Sequence, residues 1–479
     1  MKTKLFINNE WVDAKSGETL SIRSPHDESL VAERIHVAGE ADVDDAVAAA
    51  RAAFNGEWSQ WSAERRSQAM LKFADLAEEK APEIAMWESK AMGQPISIAL
   101  DFVKMMARVW RYFAGWTDKI AGEQYPTTED GIYRIVQYDP VGVCAGIAPW
   151  NCTPIFFGFK TGASIAAGCT AIFKSSEKSP MGILQLGELV KEAGFPPGVI
   201  NIISGDGATG SALARHMDID KISFTGSALT GRKIQEASAK SNMKRVTLEL
   251  GGKSPSLIFD DANIDNALHH ASRGFLWNNS QACVATSRTF VHEDIAPKFI
   301  ERMKERFLQL RKEIGHPADP KTFIGPLADR FQFERVMDLI ETGKKEGELI
   351  VGGNRIGDKG YYVEPTIFLN PTDDARIYRD EIFGPVLTIR TFKTDDEAIK
   401  LANDTNYGLS ACIFTSSIGR ALLLSKKINS GMININSSQT FGPDAPMGGV
   451  KDSGVGREGG RDGVMHYVEP KTIFINTKF

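Results

Sequence analysis

The chain has 479 residues, 42% of them hydrophobic and 24% charged, with a formal net charge of −5. That length exceeds what one simple core supports, so two or more domains are expected, each with ample apolar material to bury. The mild negative charge offers no general field for nucleic acid or an anionic membrane, and no run of about 18 apolar residues suggests a spanning helix.

The first twenty residues alternate apolar with polar side chains and lack the apolar stretch of a secretory signal, so a cytoplasmic location is expected. Cys144, Cys152, Cys169, Cys283 and Cys412 are scattered and free of Cys-x-x-Cys spacing. They predict reduced thiols, with neither a disulfide framework nor structural zinc. The eight histidines are dispersed as well, and no metal site is expected.

In chain order, Leu5 to Val12 reads as a strand and turn, with Asn8-Asn9 in the turn. A helix follows, in which Val43, Ala46, Val47, Ala50 and Phe54 recur at helical spacing behind an acidic first turn. Glu64 to Met92 reads as one longer helix and Asp101 to Gly115 as another. Tyr133 to Tyr138 is a strand that breaks at Asp139-Pro140, and Val141 to Ala148 is a buried strand.

From Cys169 to Leu250 strand and helix alternate. Strands Thr170 to Lys174, Val199 to Ile203, Lys221 to Phe224 and Arg245 to Leu250 enclose helices Met181 to Ala193, Ala208 to Arg215 and Thr230 to Ala239. This order predicts a parallel sheet with crossover helices. Gly251-Gly252 marks a hinge, after which strand Ser256 to Phe259 and helix Ile264 to Trp277 open a second α/β unit. The tail, His466 to Phe479, alternates enough to form a strand that pairs outside its own domain.

Cys283 and Glu249 offer a thiol and a base: a thiolate attacks a carbonyl carbon, and a carboxylate then activates the water that cleaves the adduct. Cysteine is also a small core residue, and spacing alone does not decide between the two. Ligands gather at the carboxyl ends of parallel strands. Lys174 and Glu177 lie past one such end, suited to the hydroxyls of a ribose, though a Lys-x-x-Glu pair equally fits a solvated surface. Gly226 and Gly231 lie past another, where a helix start faces a pyrophosphate. Asn151 follows a third, either as an oxyanion donor or as an Asn shaping its own turn.

Together these elements resemble the aldehyde dehydrogenase superfamily. The matches run in order along the chain: Pro149-Trp150-Asn151, Lys174-x-x-Glu177, Phe224-Thr225-Gly226-Ser227, Leu248-Glu249-Leu250-Gly251-Gly252-Lys253, Gln281-x-Cys283, Glu364-Pro365-Thr366, Glu381-Ile382-Phe383-Gly384-Pro385 and Gly448-Gly449-x-Lys451-x-Ser453-Gly454. The resemblance implies NAD-dependent oxidation of an aldehyde to a carboxylic acid through a cysteine thiohemiacetal and thioester. Cys283 would be the nucleophile, Glu249 the base for deacylation, and Asn151 an oxyanion donor beside the Cys283 N–H. Trp150, Lys174, Glu177, Phe224, Gly226 and Ser227 would line the adenosine and pyrophosphate side, with Glu381 and Phe383 at the nicotinamide riboside. No metal is required.

The Glu177 carboxylate favours NAD, because it would repel a 2′-phosphate, while Lys174 leaves NADP open. Two positions depart from the family pattern: Ser280 stands before Gln281, where a glycine is usual in that loop, and Cys152-Thr153-Pro154 replaces an aromatic residue followed by proline. A substrate passage lined by Cys152, Phe156, Phe159, Trp277 and Phe441 suggests an apolar or aromatic aldehyde. No arginine stands among them to clamp a second carboxylate. The competing readings are a cysteine-dependent esterase or hydrolase, a CoA-acylating or NADP-preferring member of the superfamily, and a catalytically silent binding scaffold.

The implied fold is α/β: a Rossmann-like parallel-sheet cofactor domain (1–121 and 141–251), a second α/β catalytic domain (252–451) and a β oligomerisation arm (122–140 and 460–479). The resemblance also implies a homodimer or homotetramer.

Overall fold

The computed structural model describes residues 2–478; Met1 and Phe479, the last residue of the expected tail strand, lie outside the described residues. Two large sheets organise the chain. The first has eight strands, in the order Gly454–Val455, Arg245–Glu249, Lys221–Thr225, Val143–Ile147, Thr170–Ser175, Ile200–Ser204, Leu5–Ile7 and Glu10–Val12. Its middle five run parallel. Four of these five are buried throughout, as continuous apolar runs between crossover helices require.

Helix Met181–Ala193 ends at Gly194, whose φ of +90° suits a residue without Cβ. The next two crossover helices start on side-chain caps: Asp206 accepts from the N–H groups of Ala208 and Thr209, and Ser227 from that of Thr230.

The second sheet has seven strands, in the order Glu348–Val351, Thr366–Leu369, Val386–Phe392, Arg288–His292, Pro255–Ile258, Ser410–Phe414 and Met432–Ile435. Only its first pair is antiparallel. A separate three-stranded sheet pairs Val468–Asn476 with Ile132–Pro140 along nine positions and adds Glu123–Tyr125. The tail strand therefore finds its partner in this extension of the same chain, and it leaves Phe474 66% exposed.

Two expected helices differ. Glu64 to Met92 is broken at Lys80 into Ala63–Glu79 and Ala81–Met92. Pro82, in the first turn of the second helix, has no N–H with which to continue the first. The helix from Ile264 keeps α geometry only to His269, passes through a π turn at His270–Gly274, and ends in a short 3₁₀ segment, Trp277–Ser280. Asn278, Asn279 and Ser280 hold φ of 53°, 55° and 57°, a left-handed run that no α-helix accommodates. Among the described residues no helix is long and apolar enough to cross a membrane, and no group of three or more His, Cys, Asp or Glu is placed to hold a metal.

Candidate active site

Carboxyl ends of the first sheet meet amino ends of the second across a cleft. Asn151 follows strand Val143–Ile147, Glu177 follows Thr170–Ser175, Ser227 follows Lys221–Thr225, and Glu249 closes Arg245–Glu249. From the other side Cys283 precedes Arg288–His292, and Glu381 and Phe383 precede Val386–Phe392. A cavity of about 280 Å³ brings together Trp150, Asn151, Ser227, Cys283, Glu381 and Phe383, with Gly226 also on its wall. A second, of about 780 Å³, is lined by Lys174, Glu177 and Phe224 and shares Trp150, Gly226 and Ser227 with the first. One continuous groove thus runs from the thiol to the Lys174–Glu177 pair, whose charged atoms stand 3.8 Å apart.

The Cys283 loop is fixed by amides. Asn151 Nδ2 donates to the Gln281 carbonyl at 2.8 Å, and Gln94 Nε2 donates to Asn278 Oδ1 at 2.9 Å. Asn279 donates to the Gly325 carbonyl, and Gln281 Oε1 accepts from the Ala328 N–H. Ser280 adopts the left-handed region and its hydroxyl donates to the Phe275 carbonyl at 2.9 Å, which offsets part of the cost of carrying a Cβ there. Asn151 Oδ1 has no hydrogen-bond partner, and Nδ2 makes one hydrogen bond with one of its two N–H groups.

Burial pushes the Cys283 thiol up to about 12, with the charges of Glu381 and Glu249 acting in the same direction; the N–H groups of Cys283 and Val284 work against them. Glu249 is 5% exposed and lies behind the cavity wall, with its Oε1 unpartnered. Burial raises it well above the usual carboxylate range, Glu458 adds to this, and Lys160 and Arg457 oppose it. Lys160 pairs with Glu458 and donates to Ser223 Oγ at 3.0 Å, forming a buried polar cluster beneath Glu249. A Cβ on Gly448 would stand 2.3 Å from Glu249 Oε1 and 2.9 Å from the Gly456 carbonyl oxygen, and its φ of +154° also favours glycine there.

Glu381 accepts from the Gly252 N–H at 2.9 Å, and burial lifts it to about 7. Its loop is held from helix Arg330–Glu346: Gln332 donates to the Phe383 carbonyl at 2.8 Å, and Arg335 donates to the carbonyls of Glu381 and Ile382. Gln332 and Arg335 also line the smaller cavity. Sequence reasoning missed both, because their helix carries no motif; three-residue spacing on one face is the sole hint.

The expected substrate residues separate. Cys152 is buried, and burial, with the nearby charge of Cys283 adding to it, raises its thiol well above the usual range. Trp277 is half-buried and packs edge-on against Phe102, Phe441 is half-buried, and Phe156 lies under the Lys160 ammonium. Phe159 is 1% exposed, inside the core and beside the Gly459 backbone. Its side chain belongs to the same buried apolar cluster as Phe156. None of the five lines either cavity of the groove.

A family model described as the aldehyde dehydrogenase family matches residues 11–473. An aldehyde dehydrogenase of Davidiella tassiana is 45% identical over 99% of this chain and 95% of its own length. The rat (Rattus norvegicus) aldehyde dehydrogenase, cytosolic 1, is 44% identical over 98% and 94%. An NAD⁺ complex of a Bacillus cereus aldehyde dehydrogenase superimposes with a TM-score of 0.97 at 39% identity, covering 100% of this chain and 97% of that one.

Proposed function

The chain belongs to the aldehyde dehydrogenase family, and from that premise we propose how its own residues oxidise an aldehyde with NAD. The observation that carries the reading is the convergence of Cys283, Asn151 and Glu381 on one cavity that opens into the Lys174–Glu177 groove. The groove fits the cofactor. A Cβ on Gly226 would collide with the Phe224 ring at 2.4 Å and one on Gly251 with Glu381 at 2.1 Å, so the absence of side chains there lets Phe224 and Glu381 keep their places on the groove wall. Glu177 and Lys174 suit the adenine-side ribose, Ser227 and Trp150 the pyrophosphate, and Glu381 and Phe383 the nicotinamide riboside.

In this mechanism the Cys283 thiolate attacks the aldehyde carbon. The Cys283 N–H and the free N–H of Asn151 hold the oxyanion of the resulting thiohemiacetal. The adduct collapses to the thioester as its hydride leaves, and NAD, which Glu381 and Phe383 would hold by its nicotinamide riboside, would supply the hydride acceptor. Glu249 then takes a proton from water, which attacks the thioester carbon and releases the acid and the thiol. Glu249 does not line the cavity, so the water and the acyl group must come within its reach for this step.

The substrate is an apolar or aromatic aldehyde, a reading supported by the apolar character of Cys152, Phe156, Trp277 and Phe441, which pack around the site without lining its two cavities. Glu177 favours NAD over NADP. The two α/β units divide near Gly251, and the three-stranded extension serves as an oligomerisation arm in a homodimer or homotetramer, supported by the exposed Phe474 on its outer strand. A cytoplasmic location is supported by the rat relative named as cytosolic.

The test is a panel of aliphatic, aromatic and charged aldehydes assayed with NAD and with NADP, with Cys283→Ala as control. Hydrophobic aldehydes with NAD should give the highest kcat/KM. Short charged semialdehydes far outperforming them would overturn the substrate reading, and NAD-independent ester cleavage as the main activity would favour the hydrolase.

A further inference from the structure

The middle of the groove, where its two cavities share Trp150 and Ser227, is also crossed by two residues that no family motif marks. Phe331, in the first turn of helix Arg330–Glu346, lines both cavities yet is 70% exposed. Lys178 lines the larger cavity, and its ammonium lies 5.4 Å from the Trp150 ring and 5.8 Å from the Phe331 ring. Those π faces hold a cation over the point where the two compartments join.

The Lys178 ammonium is tied by a 2.6 Å ion pair to Asp329 Oδ2, across the cleft. Asp329 lines neither cavity, and its other oxygen is engaged as the helix cap, accepting from the Gln332 N–H at 2.8 Å. Both partners are partly exposed, at 23% and 32%, so the pair sits in water and exchanges its acceptor readily. Other cations face the groove elsewhere. Lys174 is buried at the ribose end beside Glu177, Arg335 is engaged with the carbonyls of the Glu381 loop, and Lys233 is exposed on helix Ala228–Lys240.

We propose that Lys178 binds the cofactor's pyrophosphate, exchanging Asp329 for the phosphate oxygens while Trp150 and Phe331 keep its ammonium over the join. This rests on the NAD reading above. It makes Asp329 an internal competitor: the carboxylate holds the lysine in place while the groove is empty and opposes the incoming dianion.

The experiment measures dissociation constants of NAD, ADP-ribose and adenosine by tryptophan fluorescence and calorimetry at two salt concentrations. Lys178→Gln should raise the constants for NAD and ADP-ribose about tenfold, the loss of one charge-assisted contact, leave that for adenosine unchanged, and flatten the salt dependence. Lys178→Arg should restore most of the affinity. Asp329→Asn keeps the cap oxygen and removes the competing charge, so it should tighten NAD and ADP-ribose severalfold. If Asp329→Asn weakens binding, or Lys178→Gln affects adenosine as much as ADP-ribose, the pair is a structural clasp and the proposal falls. A wild-type protein that binds adenosine but neither NAD nor ADP-ribose would overturn the NAD reading itself.

Discussion

The two large sheets present opposite strand ends to the same cleft. The first offers carboxyl ends, from which Asn151, Glu177, Ser227 and Glu249 project, while the second offers amino ends, reached through the loops that carry Cys283, Glu381 and Phe383. The backbone differs accordingly. Asn151, Glu177, Ser227 and Glu249 have ordinary φ values, whereas Asn278, Asn279, Ser280 and Phe383 all occupy the left-handed region. Parallel strand ends deliver side chains at little conformational cost, and the nucleophile side depends on a loop held by Asn151, Gln94, Asn279 and Gln281. On the proposed mechanism the first side would bind and activate, while the second would react from a shape that its contacts must hold against its own backbone preference.

The sharpest test of that division is Glu249→Gln, which preserves shape on the first side and removes the base. Thioester hydrolysis should slow by about 10²- to 10⁴-fold, while the first turnover still yields NADH. Rapid-mixing absorbance should therefore show a burst close to one equivalent per site, followed by a slow phase. Equal loss of burst and steady rate would place Glu249 in acylation as well. Asn151→Ala probes the contact between the two sides. It removes an oxyanion donor, worth on the order of a hundredfold in acylation, and also the tie to the Gln281 carbonyl. Alkylation of Cys283 by iodoacetamide separates these: an unchanged alkylation rate with slowed NADH formation isolates the donor role.

The pH response tests the thiol of the second side in the field of both. Without cofactor, burial and the charges of Glu381 and Glu249 keep the thiol at about 12, so thiolate is scarce and grows with pH. Alkylation should rise roughly tenfold per pH unit from neutrality to pH 10 without levelling. A plateau near pH 8 would show that the loop already holds a thiolate.

The same asymmetry explains what could be read from sequence. Alternating strands and helices from Cys169 to Leu250 were legible because buried parallel strands are continuous apolar runs, and the carboxyl-end rule then located Asn151, Lys174, Glu177 and Ser227. No such rule reaches amino-end loops, and Glu381 and Phe383 were found only through motif resemblance. Gln332 and Arg335 sit on a helix whose pattern reports only its core face, while their contacts are with carbonyls distant in sequence. The burial of Phe159 was not legible, because aromatic residues close to a site motif look alike in sequence whether they face a cavity or the core. The break at Lys80 was missed because Pro82 is tolerated in the first turn of a following helix, and the apolar spacing runs on through it.

Ser280 gives the smallest effect and the finest reading of strain on the second side. Its left-handed φ of 57° costs about 1 kcal/mol for a residue with a Cβ, and its hydrogen bond to Phe275 returns about the same. Ser280→Gly removes both, and adds chain entropy to the unfolded state worth about 0.4–1 kcal/mol; its stability should change by no more than about 1 kcal/mol. Ser280→Ala keeps the strain and loses the bond, leaving the buried Phe275 carbonyl unpaired, so it should cost about 1–2 kcal/mol. Thermal or urea unfolding of the two variants measures the difference. An alanine variant as stable as the glycine variant would mean that the loop relaxes out of the left-handed region, and that Cys283 is positioned by the amide contacts of Asn151 and its neighbours alone.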